Sequence, residues 1–189
     1  MKSYQIERLI RECYIFINED YGKEMKDAME YSTLLNSTGR YKNPEIGVQI
    51  CIGNRKYNYR IAKIMLQKHR RNIVNGLNYI KKIGLNQYKN IQYFNSRDEI
   101  KDTIIGIISG IIINIKKYSH KPILAFSYSN DSVKISSRAT NDLVRYGINL
   151  SDAIEKTIII TGGTGGGHDI AAGATIEKEK IDLFIKVFD

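Results

Sequence analysis

The densest concentration of groups able to do chemistry lies near the C-terminus, in the run Gly162-Gly163-Thr164-Gly165-Gly166-Gly167-His168-Asp169-Ile170-Ala171-Ala172-Gly173. Glycine reaches backbone conformations that other residues avoid, so a run this rich in it can turn successive N–H groups toward one point. Such a loop suits a phosphate oxygen, the more so where it enters a short helix. Two familiar phosphate motifs fail on spacing. A nucleotide-binding P-loop places Lys and then Ser or Thr after its last glycine, whereas Gly167 precedes His168. The dinucleotide fingerprint needs glycines at its first, third and sixth positions, which no register here supplies. What remains is a Gly-Gly-Gly-His loop with an Ala-Ala-Gly tail, between Ile158-Ile159-Ile160-Thr161 and Ala174-Thr175-Ile176, segments expected to be buried. A glycine-rich connection without a ligand, and a histidine that is only a structural hydrogen-bonder, satisfy the same letters.

Metal chemistry has little to work with. His69, His120 and His168 share no ligand spacing, and Cys13 and Cys51 stand far apart with no paired-cysteine motif. Neither a zinc site nor a disulfide framework is expected, and a reducing cytoplasm fits. No catalytic residue, metal ligand or cofactor is assigned within the chain. Its 29 Lys and Arg against 20 Asp and Glu leave a formal net charge of +9. That favours anionic partners, nucleic acid first, with a merely solvated basic surface as the alternative. The N-terminal MKSYQIERLIREC lacks the apolar core of a signal peptide. The most apolar run, Ile104 to Ile115, is 12 residues long and interrupted by Gly106 and Gly110. It is too short to span a bilayer, so no membrane partner is expected.

Stepping along the chain, residues 4 to 17 place Ile6, Leu9, Ile10, Cys13 and Ile17 at helical spacing, predicting an amphipathic helix that packs on its own core or on a partner. A second helix is predicted over Lys26–Asn36, with Gly39 supplying its stop. Ile46 to Ile52 is apolar enough for a strand, but its assignment stays open. Tyr57–Ile83 is a long helix with Ile61, Ile64, Met65, Lys68, Ile73, Leu77 and Ile80 on one face. Arg55, Lys56, Arg60, Lys63, Lys68, His69, Arg70, Arg71, Lys81 and Lys82 form a basic stripe with few acids to neutralise it. That stripe is either solvated or part of a nucleic-acid track. Asn90–Asn95 reads as a strand, Asp98–Ile115 as a buried helix, and Pro122–Tyr128 with Ser132–Arg138 as a hairpin. Short helices over Asn141–Tyr146 and Ser151–Ile158, a strand at Ala174–Ile176 and a closing helix over Lys178–Phe188 complete the set. The fold class is α/β, a mixed β-sheet flanked by helices with an N-terminal helical segment.

The string GGGHDIAAGA resembles the signature of the DHH-associated domain, the C-terminal half of DHH-family phosphoesterases such as the archaeal RecJ-like nucleases. The resemblance implies that Gly165, Gly166, Gly167 and His168 contact a nucleic-acid backbone or bound nucleotide. It extends to Ser136 and Arg138, which match a serine-x-arginine in that family whose arginine is aimed at substrate phosphate. A guanidinium fork suits a phosphate oxygen better than lysine does. Thr33-Leu34-Leu35-Asn36-Ser37-Thr38-Gly39-Arg40 is similar to a RecJ-like segment that lines the cleft, making Asn36 and Arg40 candidate backbone contacts. The Arg138 guanidinium and the His168 imidazole are then expected within roughly 10 Å of each other, on the same face as the Gly165–Gly167 amides. Residues 1–40 would be a helical connector and 41–189 the nucleic-acid-binding domain. The family's Asp-His-His string is missing. The expected activity is therefore binding of single-stranded DNA or RNA without a metal centre. The alternatives are a split nuclease completed by a separate DHH catalytic chain, which would bring manganese or magnesium, and a non-catalytic subunit held by a replication or repair protein.

Overall fold

A computed structural model describes residues 12–19 and 24–189. Its helices are α1 (Ala28–Arg40), α2 (Pro44–Cys51), α3 (Lys56–Ile83), α4 (Asp102–Ile113), α5 (Asn141–Arg145), α6 (Leu150–Thr161) and α7 (Ile181–Phe188). Its strands are β1 (Asn86–Gln87), β2 (Gln92–Asn95), β3 (Ile123–Ser129), β4 (Ser132–Arg138), β5 (Thr164–Gly167) and β6 (Ala171–Glu177). The chain divides into two units, up to Arg70 and from Arg71 to Asp189.

In the second unit β3 is buried from Ile123 to Ser127. A strand buried on both faces needs cover on both sides. Leu124 and Phe126 join Val133 and Ile135 of β4, Ala172, Ala174 and Ile176 of β6, Ile154 of α6 and Phe184 of α7 in one core. Ile123 and Ala125 turn the other way, to Ile104, Ile105 and Ile108 of α4 and Ile80 of α3. The six strands run β1-β2-β3-β4-β6-β5, with only β2 and β3 parallel. This is the mixed α/β sheet flanked by helices that the sequence implies. Asn130 takes a positive φ of 54° in the tight turn between β3 and β4, a conformation asparagine tolerates. Asn149 caps α6 by accepting from the Asp152 N–H, and Gly162 ends that helix at φ 79°.

The glycine run departs from expectation. It does not enter a helix: Thr164 to Gly167 is an edge strand, paired antiparallel with β6. Nor are its flanks both buried, since Ile159 and Ile160 at the end of α6 are 82% and 63% exposed.

In the first unit Leu34, Ile46, Ile50, Ala62, Met65 and Leu66 form a separate small core. Gly47 lets α2 approach α1, where a Cβ would sit 2.6 Å from Thr38 Oγ1. Ile46–Ile52 is mostly helical rather than strand, with Pro44 in the first helical turn, where its missing N–H costs nothing. Helix α1 runs through Gly39, and Lys42, at φ 61°, takes the left-handed position after it. Residues 12–17 are not helical. Ile15 bridges Asp27, with Phe16 N–H donating to the Lys26 carbonyl; residues 4–11 lie outside the described residues. On α3 the predicted faces shift. Ile64 is largely exposed and Lys68 is outward, whereas His69, assigned to the basic stripe, is 3% exposed. Among the described residues no helix is long and apolar enough to cross a membrane.

Candidate functional site

Register brings the second unit's candidate residues together. Across β4, β6 and β5, Ser136 pairs with Gly173 and Gly173 with Gly166. Arg138 pairs with Ala171, which exchanges backbone hydrogen bonds with His168 at 2.8 and 3.3 Å. Residues opposite one another in a sheet share a face. Two strand spacings then separate the Cα atoms of Arg138 and His168, roughly 10 Å.

That face is the one α4 covers at its β4 end. Ser136 Oγ would stand 3.1 Å, and Arg138 Nη2 2.7 Å, from a Cβ placed on Gly106, and Arg138 Nε lies 3.8 Å from the same position on Gly110. Two glycines one turn apart therefore leave the trough in which the Arg138 side chain lies. Arg138 Nη1 donates to the Ser137 carbonyl at 2.7 Å. Among the described residues no carboxylate pairs with it. Burial lowers its pKa from the ordinary arginine value, because a half-desolvated cation has lost water without gaining a counter-charge. Ser136 is buried, and its hydroxyl makes no hydrogen bond among the described residues.

Beyond Ser136 and Arg138 the face continues as a floor without bulk. Gly173, Ala171 and Gly166 are partly exposed, and a Cβ on Gly166 would meet open space. His168 is exposed at the hairpin tip. The amides of Gly165 and Gly167 point elsewhere. The reciprocal His168–Ala171 bonds make Gly166 and Thr164 the bonded partners of β6. Gly165 and Gly167, between them, aim their N–H groups in the sheet plane toward the free edge. These two glycines answer to packing: a Cβ on Gly165 would sit 2.7 Å from the Gly173 carbonyl oxygen, and one on Gly167 2.5 Å from that of Ala171.

Sequence reading missed Gly106, Gly110 and Lys134. Lys134 is exposed and shares the face of Ser136 and Arg138, which the two-residue period of β4 makes legible. Asn36 and Arg40 lie in the first unit, at the end of α1. Asn36 is exposed, with Nδ2 3.4 Å from Ser32 Oγ. Arg40 stands near enough to His69 that, after burial, its charge and that of Arg70 lower the histidine's pKa. The basic stripe on α3 is partly neutralised: Arg55 pairs with Glu19, Lys63 with Glu24 at 3.4 Å, and Arg70 with Glu30. Among the described residues no three His, Cys, Asp or Glu side chains gather as a metal would need.

The mixed sheet flanked by helices is the fold of a DHHA1 domain. Residues 89–189, more than half of the chain, match the DHHA1 domain model, and the chain belongs to that family. It is 33% identical over its whole length to the uncharacterized protein MJ0831 of Methanocaldococcus jannaschii, spanning 39% of that protein. Over 87 residues, 44% of this chain, it is 31% identical to the single-stranded-DNA-specific exonuclease RecJ of Escherichia coli, spanning 14% of it. RecJ of Thermus thermophilus, in complex with Mn2+, shares the fold at TM-score 0.69 and 13% identity, over 85% of this chain and 23% of that one.

Proposed function

We propose that this chain binds the sugar–phosphate backbone of a nucleic-acid single strand across β4, β6 and β5, anchored by Arg138. The observation that carries this is the half-buried guanidinium with no carboxylate partner among the described residues, seated between Gly106 and Gly110 beside an open glycine floor. An anion there offsets the desolvation of the cation. The Ser136 hydroxyl can donate to the same phosphate. His168 lies roughly two strands away, and Lys134, four residues back along β4, roughly 13 Å from Arg138, within reach of a further phosphate. A floor of Gly166, Gly173 and Ala171 lets a backbone approach but offers no side chain to read bases, which favours sequence-independent binding. The Escherichia coli relative, named for single-stranded DNA, supports the substrate class. Asn36 and Arg40 remain candidates for backbone contacts made by the first unit in its own right.

A second reading rests on coverage. The chain spans 39% of the Methanocaldococcus jannaschii protein and 14% of Escherichia coli RecJ. A DHH domain carried elsewhere would then supply manganese or magnesium and hydrolyse the strand that this chain holds. The experiment is fluorescence anisotropy with a labelled oligothymidylate. Arg138→Ala is expected to cost about 1.5–3 kcal/mol of binding, the range for a charged hydrogen bond. Arg138→Lys should restore part of it, keeping the charge without the fork. Wild-type affinity in Arg138→Ala would refute the site. A rise in hydrolysis on adding a DHH-bearing chain with manganese would select the second reading.

A further inference from the structure

A second concave feature lies in the same unit and uses none of these residues. The last turns of α3 and the end of α4 leave a groove of about 250 Å3. Leu77 and Ile80 form one wall, Ile111, Ile112 and Ile115 the other, and Tyr118 closes it. Ile111 and Ile115, four residues apart on α4 and just beyond its end, are 39% and 46% exposed. The polar lining consists of Asn78 and Lys81, with no acid. Lys82, Lys116 and Lys117 are exposed beside lining residues in the chain, and Lys117 Nζ lies 5.2 Å over the Tyr118 ring.

We propose that this groove docks an acidic amphipathic segment of a partner protein, its apolar side chains between the isoleucines and its carboxylates on the lysines. Lys81 in the lining and Lys117 over the Tyr118 ring, with no acid among the lining residues, select for negative charge on the occupant. The volume falls below the roughly 300–1,000 Å3 of pockets that take cofactors and drug-sized ligands. It suits one or two apolar side chains, as when a helix lays its anchors in a groove. A nucleobase fits less well. The single aromatic wall already carries Lys117 on its face, and aliphatic walls give base edges nothing to bond.

The test uses the full chain and a fluorescein-labelled peptide of about 15 residues, with leucines four apart flanked by Glu and Asp. Saturable binding is expected, weakened about tenfold or more by Ile115→Glu and again by Lys81→Glu with Lys117→Glu. All three substitutions fall on exposed side chains, and unchanged circular dichroism certifies the fold. Should Ile115→Glu misfold, the lysine pair carries the test. A charge-reversed peptide should not bind. Arg138→Ala should leave peptide binding intact, and Ile115→Glu should leave oligothymidylate binding intact, so this proposal and the strand-binding site fail separately. Absence of binding, or wild-type affinity in both variants, overturns the proposal. Loss of oligothymidylate rather than peptide binding in Ile115→Glu also overturns it and gives the groove to nucleic acid.

Discussion

Arg138 owes its position to what α4 lacks. At Gly106 a methyl group would meet Nη2 at 2.7 Å and Ser136 Oγ at 3.1 Å, so Gly106→Ala must push the guanidinium out of its trough. The flexible arginine can move, and alanine is better than glycine in a helix by about 1 kcal/mol. The variant is therefore expected to melt at or above the wild-type temperature while binding oligothymidylate about tenfold more weakly. A variant that melts normally and binds normally would show that the seat of Arg138 is irrelevant. Ser136 and Arg138 were legible as a motif. Gly106 and Gly110 were not, because in the sequence they only interrupt an apolar run, and their meaning comes from a strand about thirty residues later.

At the scale of elements, regular apolar periodicity was readable and exceptions to it were not. The β3–β4 hairpin follows from the continuous apolar run of β3 and the alternation at the start of β4, and the closing helix α7 from the spacing of Ile181, Phe184, Ile185 and Phe188. Strand β5 has no such signal, since glycine carries no side chain and is a poor strand former. Only β6, which fills the space beside it, makes it a strand. Helix α3 held a different surprise. His69 packs edge-on to Tyr41, ring centroids 5.9 Å apart. Burial first, then the charges of Arg40 and Arg70, hold its pKa below the ordinary 6.5. With the folded pKa depressed, the unfolded chain takes up the proton first as pH falls below that ordinary value, and stability declines until the folded form protonates too. The thermal unfolding temperature should therefore be lower at about pH 5 than at about pH 7.5, and His69→Gln should flatten that part of the slope. An identical pH profile in the variant would remove His69 from the account.

For the whole molecule, a formal charge of +9 suggests a broad electrostatic grip, yet its geometry is selective. Arg55, Lys63 and Arg70 are engaged by glutamates. Of these pairs only Arg70–Glu30 is exposed on both sides, where a pair contributes about 0–1 kcal/mol, but all three remove net attraction from that stripe. If Arg138 and Lys134 are the main phosphate contacts, the log–log dependence of oligothymidylate affinity on salt should have a slope near −1.4, about −0.7 per contact. Arg71→Glu should leave it unchanged. A slope steeper than about −3 would bring the α3 cations into the track. The position of β5 has a consequence of another kind. It closes the sheet on one side with backbone groups of Gly165 and Gly167 facing outward, an open template for a neighbouring molecule's strand. Natural sheets guard such borders with lysine, proline or a bulge. Here the border is four residues long and nearly bare of side chains, so it offers an incoming strand its hydrogen bonds and almost no side-chain surface to pack on.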